Sequence, residues 1–171
     1  REIMRTFLTK LIDRARKDPA LASVCLSNEP AYASSGHDSY SRPDWVAYLR
    51  GEYDDIAALN KMYDTGYDSF EDVPVPEPRM PHEIHAQRAY YDWVRFNQQH
   101  FANWHAWLHD LVKAQAPDIP THIKIWPNVF RRDRLWEGLD PELMCRVTDW
   151  AGNDCHANLS PDGEYAYHWA K

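Results

Sequence analysis

Two alternating periodicities along the chain constrain its fold more than any other feature. An apolar pattern at helical spacing, made of Met4, Leu8, Leu11, Ile12 and Ala15 with Phe7 beside them, stops at Asp18-Pro19. It gives way to ALASVCLS, which reads as a short, mostly buried strand that Pro30 ends. A longer helical pattern runs from about His82 to Ala116 and ends at Pro117 and Pro120. THIKIW follows it as a second strand. On that long helix Tyr90, Trp93, Val94, Phe101, Trp104, Leu108, Leu111 and Val112 lie near one seam, with Asn97 on it. Between the two strands, Ser41-Arg42-Pro43-Asp44 opens a helix with proline and an acid in its first turn, which Gly51 weakens. A shorter helix covers Asp54 to Tyr63, with Ile56, Leu59 and Met62 or Tyr63 as its apolar face. The proline-rich stretch from Asp64 to Pro81 is an extended loop. Asp140-Pro141-Glu142 starts another short helix with Asp140 as N-cap, and CRVTDW reads as a third strand ending at Ala151-Gly152-Asn153-Asp154. The order helix, strand, helices, strand, helix, strand indicates an α/β protein with a parallel sheet.

The faces of the strands narrow this further. Side chains alternate across a strand, so Val24 and Leu26 share one face, while Ser23, Cys25, Ser27 and Glu29 share the other if no bulge intervenes. In THIKIW, Ile123 and Ile125 are opposed to His122, Lys124 and Trp126. An open doubly wound sheet packs both faces on helices and is aliphatic on both. A closed (β/α)8 barrel has one face against helices and a lumen that turns polar at its C-terminal mouth. The asymmetry favours the barrel.

Composition excludes several function classes. The net charge of −7 leaves no basic stripe for nucleic acid, and RRDR at 131–134 is short and followed by acids. No apolar run is long enough to span a membrane. Cys25, Cys145 and Cys155 form neither a disulfide framework nor a zinc spacing. His82 and His85 give H-E-x-H, which is not the zinc motif, and His105 and His109 read as packing or surface histidines. No metal or other cofactor is expected. A Gly-rich phosphate loop and a G-x-S-x-G elbow are also missing. Eight tryptophans and ten tyrosines, many for 171 residues, suit a packed core and also an aromatic-lined groove.

Glu29 closes the first strand in SVCLSNEPAY. A carboxylate at a strand's C-terminal end in a barrel mouth is in position for acid/base work; the alternative is a Glu that pairs with an Arg or caps the loop. LSNEP, preceded by a helix ending in DPALAS, resembles the fourth-strand motif of clan A glycoside hydrolases. WVAYLRGEYDDIAALNKMYDTGYDSFEDV is similar to the segment after that strand in family 42 β-galactosidases. YYDWVRFNQQHFANWHAWL is similar to the long helix that follows there, and LDPELMCRVTDWAGND to the region of the sixth strand. The resemblance spans nearly all of the chain in order. Departures are the lack of a cysteine cluster near the fourth-strand loop and Tyr63 where a tryptophan is common.

The resemblance implies a partial (β/α)8 TIM barrel, approximately strands four to six with their helices. The expected domain is 1–171, a single partial catalytic domain cut at both ends. It implies a retaining glycosidase acting on β-galactosides or related glycans. Glu29 is its general acid/base, Asn28 binds the sugar 2-hydroxyl, and the nucleophile lies beyond Lys171. The isolated chain is expected to hydrolyse negligibly. Trp126, after the second strand, is a sugar platform or mouth packing, and Trp150 is read as packing. Asn153 and Asp154 shape the mouth or bind sugar hydroxyls, Asp149 is structural, and Lys124 takes a lumen ion pair. Tyr32 and His37 border the substrate or belong to a solvated loop. The expected partner is a carbohydrate, with no nucleic acid and no membrane. The competing reading is a non-catalytic carbohydrate-binding or scaffold barrel protein.

Overall fold

The computed structural model describes residues 1–126 and 132–153. The chain forms two compact units. One is built from Arg1–Pro30 with the described parts of 102–134 and 140–171, the other from Ala31–Phe101 and Leu135–Leu139.

In the first unit α1 (Glu2–Ala15) precedes β1 (Val24–Asn28), the end of α4 (Ile84–Lys113) precedes β2 (Thr121–Ile125), and α5 (Pro141–Arg146) precedes β3 (Trp150–Asn153). The three strands pair in chain order and all in parallel. Ile12 of α1 with Val112 and Ala116 forms the apolar centre of this unit, and Val24, Leu26 and Ile119 pack on it. Ile123 and Ile125 are buried, whereas His122 and Lys124 on the opposite face are half-buried. The expected asymmetry of β2 is therefore present. Asp140 caps α5 as its sequence indicates, its carboxylate accepting from the N–H groups of Glu142 and Leu143.

Three expectations for this unit need correction. β1 is not mostly buried: Cys25 and Asn28 are exposed, because only its aliphatic side meets helices. A bulge does intervene, since three steps along β1 from Cys25 to Asn28 match two steps along β2 from His122 to Lys124. The extra residue sends Ser27 to the helix side together with Leu26. There its hydroxyl lies 2.8 Å from Nε2 of the buried His105 on α4. Lastly, the third strand starts only at Trp150, the last residue of CRVTDW, and not at Cys145. Helix α5 continues through Cys145 and Arg146, and the Thr148 hydroxyl donates to the Met144 carbonyl at 3.0 Å. Trp150 thus opens β3 rather than following it, and it is 50% exposed rather than packed.

β3 lies against β2 at Gly152, where a Cβ would stand 2.3 Å from the Ile123 carbonyl oxygen and 3.2 Å from the His122 ring. Backbone cannot yield as a flexible side chain does. Gly152→Ala is expected to loosen the β2–β3 pairing and cost about 1–3 kcal/mol, read as a lower urea midpoint with faster amide exchange at Ile123 and Ile125.

In the second unit α2 (Arg42–Glu52), α3 (Ile56–Tyr63), a 3-10 turn at Phe70–Asp72 and α4 up to Phe101 enclose a separate core. Its centre is Trp45, Leu49, Leu59, Tyr63, Val73 and Trp93. Tyr63 and not Met62 completes the apolar face of α3, at 3% against 53% exposure. Asp55 caps α3 by accepting from the Ala58 N–H, and Asp64 ends it in the left-handed region. Ser41 occupies the N-cap position of α2 without capping it. Its hydroxyl donates to Asp38 at 2.6 Å and accepts from the Gly36 N–H at 2.8 Å, which fastens the preceding loop instead.

Asn97 on the α4 seam is fully buried, and its amide donates to the carbonyls of Tyr32 and Trp136 at 2.6 and 3.1 Å. Asp92, 1% exposed, accepts from the Tyr53 and Tyr63 hydroxyls at 2.5 and 2.9 Å and pairs with Arg88 at 3.3 Å. Burial first, and then the Asp92 carboxylate, push both phenols above the ordinary tyrosine value. Among the described residues no helix is long and apolar enough to cross a membrane.

Candidate active site

A parallel sheet collects the C-terminal ends of its strands along one edge, and the chemistry of such folds is found there. In the first unit that edge carries Asn28 and Glu29 after β1, Trp126 after β2 and Asn153 at the end of β3. The bulge fixes how β1 delivers its two residues. Asn28 is in register with Lys124 on the face opposite the helices, and Lys124 is in turn paired with Gly152. Glu29 then turns out of the strand with φ of 45°, a left-handed conformation that a residue with a Cβ adopts at a cost of about 1–2 kcal/mol. Its N–H donates to the Lys124 carbonyl at 2.8 Å, so the turn is fastened to β2. Residues held in this region cluster at functional positions. Pro30 follows at once and ends the pairing.

Glu29 is partly buried, Asn28 is exposed, and Trp126 is 46% exposed just beyond the end of β2. Asn153 pairs with Ile125 at the edge of the sheet. Asp154 lies outside the described residues. Tyr32 belongs to the second unit, where its half-buried ring stands 5.6 Å from that of Phe101, and burial followed by the nearby Asp38 charge raises its phenol pKa. The His37 ring meets Trp93 edge-on at 6.0 Å.

Asp149 sits at the other end of the sheet. It accepts from the Thr121 N–H at 2.8 Å, where β2 begins, and pairs with Lys113 at 2.9 Å. That position removes it from the edge that carries Glu29 and makes it an anchor between α4, β2 and the start of β3. The hydrogen bond from Lys113, with that from the Thr121 N–H, holds its carboxyl below the usual range. A carboxylate depressed in this way contributes stability that is present above the unfolded value of about 3.9 and is lost as pH falls through its lower folded value. Asp149→Asn is expected to lower the urea midpoint at pH 7, modestly for a group one-third exposed, and to match the parent protein near about pH 2. Urea melts at both pH values check this.

The two histidines four residues apart on α4 are engaged separately. His105 meets Ser27, and His109 Nδ1 lies 2.7 Å from the Thr121 hydroxyl. Among the described residues no group of three or more His, Cys, Asp or Glu side chains is placed to hold a metal ion. Sequence reasoning missed the fixation of β1 by His105 and of β2 by His109. The i, i+4 spacing was visible, but the hydroxyl partners lie on strands whose register it does not give.

Strands in chain order, each preceded by a helix, with Asn28 and Glu29 at the C-terminal edge, define a parallel α/β fold. The chain belongs to glycoside hydrolase family 42, described as beta-galactosidase, whose family model matches residues 1–160. No curated protein sequence matches it. Among solved structures it is similar to the cold-adapted β-galactosidase of Rahnella sp. R3, with 20% identity and a TM-score of 0.74 over 91% of this chain and 22% of that one. The β-galactosidase of the Antarctic haloarchaeon Halorubrum lacusprofundi aligns with 17% identity and a TM-score of 0.68 over 95% of this chain and 25% of that one. An exo-carrageenase of family 42 from Bacteroides ovatus aligns with 26% identity and a TM-score of 0.59 over 76% of this chain and 18% of that one. The chain therefore spans a quarter or less of the length of these (β/α)8-barrel relatives.

Proposed function

We propose that this chain is the part of a retaining, β-galactosidase-like glycoside hydrolase that supplies the general acid/base, Glu29. In this reading β1, β2 and β3 are the fourth, fifth and sixth strands of a (β/α)8 barrel, and the nucleophilic carboxylate comes from a later strand outside the chain. The observation that carries the reading is the left-handed backbone of Glu29 at the C-terminal edge, tied to β2 through its N–H. Family membership over residues 1–160 supports the same reaction class.

The chemistry runs in two steps. Glu29 first gives its proton to the departing glycosidic oxygen while the nucleophile attacks the anomeric carbon, which requires the two carboxyl groups to stand about 5–5.5 Å apart. Glu29, now a carboxylate, then takes a proton from the water that releases the sugar. Asn28, beside it on the sheet edge, holds the 2-hydroxyl of the sugar in a hydrogen bond that strengthens as positive charge develops. Trp126 offers its face to the apolar side of the pyranose, and sugar hydroxyls are assigned to Asn153 and Asp154. Substrates are β-galactosides or related glycans. With its second carboxylate elsewhere, the 171-residue chain alone gives negligible turnover.

A mechanism-based 2-fluorogalactosyl trap tests the division of labour in the enzyme that carries this segment. Peptide mapping is expected to find the label on a carboxylate outside residues 1–171, with Glu29 unlabelled. A label on Glu29 or Asp149 would overturn the assignment.

A further inference from the structure

The second unit holds a cavity of about 350 Å³ that the reading above does not use. It lies where the end of α3, the proline-rich loop and the start of α4 meet. Its wall is largely tyrosine and proline, with the rings of Tyr63, Tyr67 and Tyr90 among the lining groups. Two of these are held in place from behind. The Tyr63 hydroxyl is committed to Asp92, and the main chain of Tyr67 is gripped by Asn60, which accepts from its N–H and donates to its carbonyl, both at 2.9 Å.

Tyr90 differs. It is 5% exposed and its ring packs 5.9 Å from that of Trp93, yet its hydroxyl has no hydrogen-bond partner among the described residues. Burial alone raises its pKa, so it stays a neutral donor. The hydroxyl oxygen itself is not sealed off but reaches solvent, unlike the rest of the side chain. A phenol donor that no protein group occupies in a cavity wall suits a ligand that brings its own hydroxyl.

We propose that this cavity is a second, non-catalytic carbohydrate site that takes one neutral pyranose unit. The volume lies in the range of small-ligand pockets, about 300–1,000 Å³. The aliphatic face of a pyranose packs on tyrosine and proline, while its hydroxyls meet the Tyr90 hydroxyl, Thr65, Glu77 and Arg79. Charge selects against other ligands. Asp64 and Glu77 against the single guanidinium of Arg79 repel a phosphate or sulfate. A wholly apolar ligand leaves the Tyr90 hydroxyl unsatisfied. The inference does not depend on the role of Glu29.

Amide NMR titration of the 171-residue chain with methyl β-D-galactopyranoside, and with cyclohexanol as a ring without the array of hydroxyls, tests it. Saturable shifts at Thr65, Tyr67 and Tyr90 are expected with the galactoside and not with cyclohexanol. Filling the cavity with Ala86→Trp abolishes them, and Tyr90→Phe weakens binding about five-fold, the worth of one hydrogen bond. Asn28→Ala leaves them unchanged. No shift at these residues, equal binding of cyclohexanol, or an unaltered affinity in Tyr90→Phe overturns the proposal. Shifts confined to Asn28 and Glu29 would also overturn it while leaving the catalytic reading intact, and cavity binding without any at the sheet edge would support it and leave the catalytic reading to the fluorosugar trap.

Discussion

Replacing Glu29 with Gln in the enzyme that carries this segment is expected to cut kcat/KM for a galactoside with a poorly departing alcohol by about 10²–10⁴-fold. Glutamine keeps the size and much of the hydrogen bonding but has no proton to give. The loss should depend on the leaving group. A dinitrophenolate departs without protonation, so the first step is largely spared and the glycosyl-enzyme accumulates in front of a slowed second step. The signature is a burst of dinitrophenol followed by slow turnover, with KM falling alongside kcat. A residue that only packed or positioned the mouth would lose the same factor with both substrates. The left-handed turn at Glu29 belongs to the same account, since an unfavourable backbone is kept where it aims a working side chain.

The largest effect on stability is expected at Asp92. Its carboxylate is 1% exposed and serves two tyrosine hydroxyls and the Arg88 guanidinium together. Asp92→Ala leaves two phenols and a cation facing a gap in the core of the second unit. Leaving two buried phenols without their acceptor costs about 1–3 kcal/mol each, and the part-exposed Arg88 adds little. For a chain of this size that lowers Tm by roughly 10 °C. Asp92→Asn, which still accepts from one phenol, should fall between the two. Thermal melts followed by near-ultraviolet circular dichroism read the change directly, because Tyr53 and Tyr63 report on their own surroundings. A drop of a degree or less in Asp92→Ala would mean that the cluster is incidental to stability.

How much of this was legible in the chain depends on whether the cause is local. Capping of α5 by Asp140 and the aliphatic face of Ile123 and Ile125 follow from residues a few positions apart, and both were read. The bulge in β1 was not, because nothing in VCLSN marks it. It exists only relative to β2, where Ser27 finds His105, 78 residues away. The start of β3 was misplaced for a related reason. CRVTDW has strand composition, but Cys145 and Arg146 complete the helix that Asp140 begins, and Asp149 is tied down by Lys113 and Thr121. Nothing in the sequence marks Asp92, since its tyrosines lie 29 and 39 residues away. The candidate pair Asn28 and Glu29 was read from a five-residue motif. The turn that orients them, and the position of Asp149 at the opposite end of the sheet, required the pairing of the strands.

Azide rescue of Glu29→Ala most directly probes the claim that Glu29 hands the proton over. The small anion should enter the space left by the carboxylate, attack the glycosyl-enzyme without base assistance, and restore turnover of dinitrophenyl galactoside with β-galactosyl azide as product. Unrescued turnover, or an α-galactosyl azide, would contradict it and move the acid/base role to another residue.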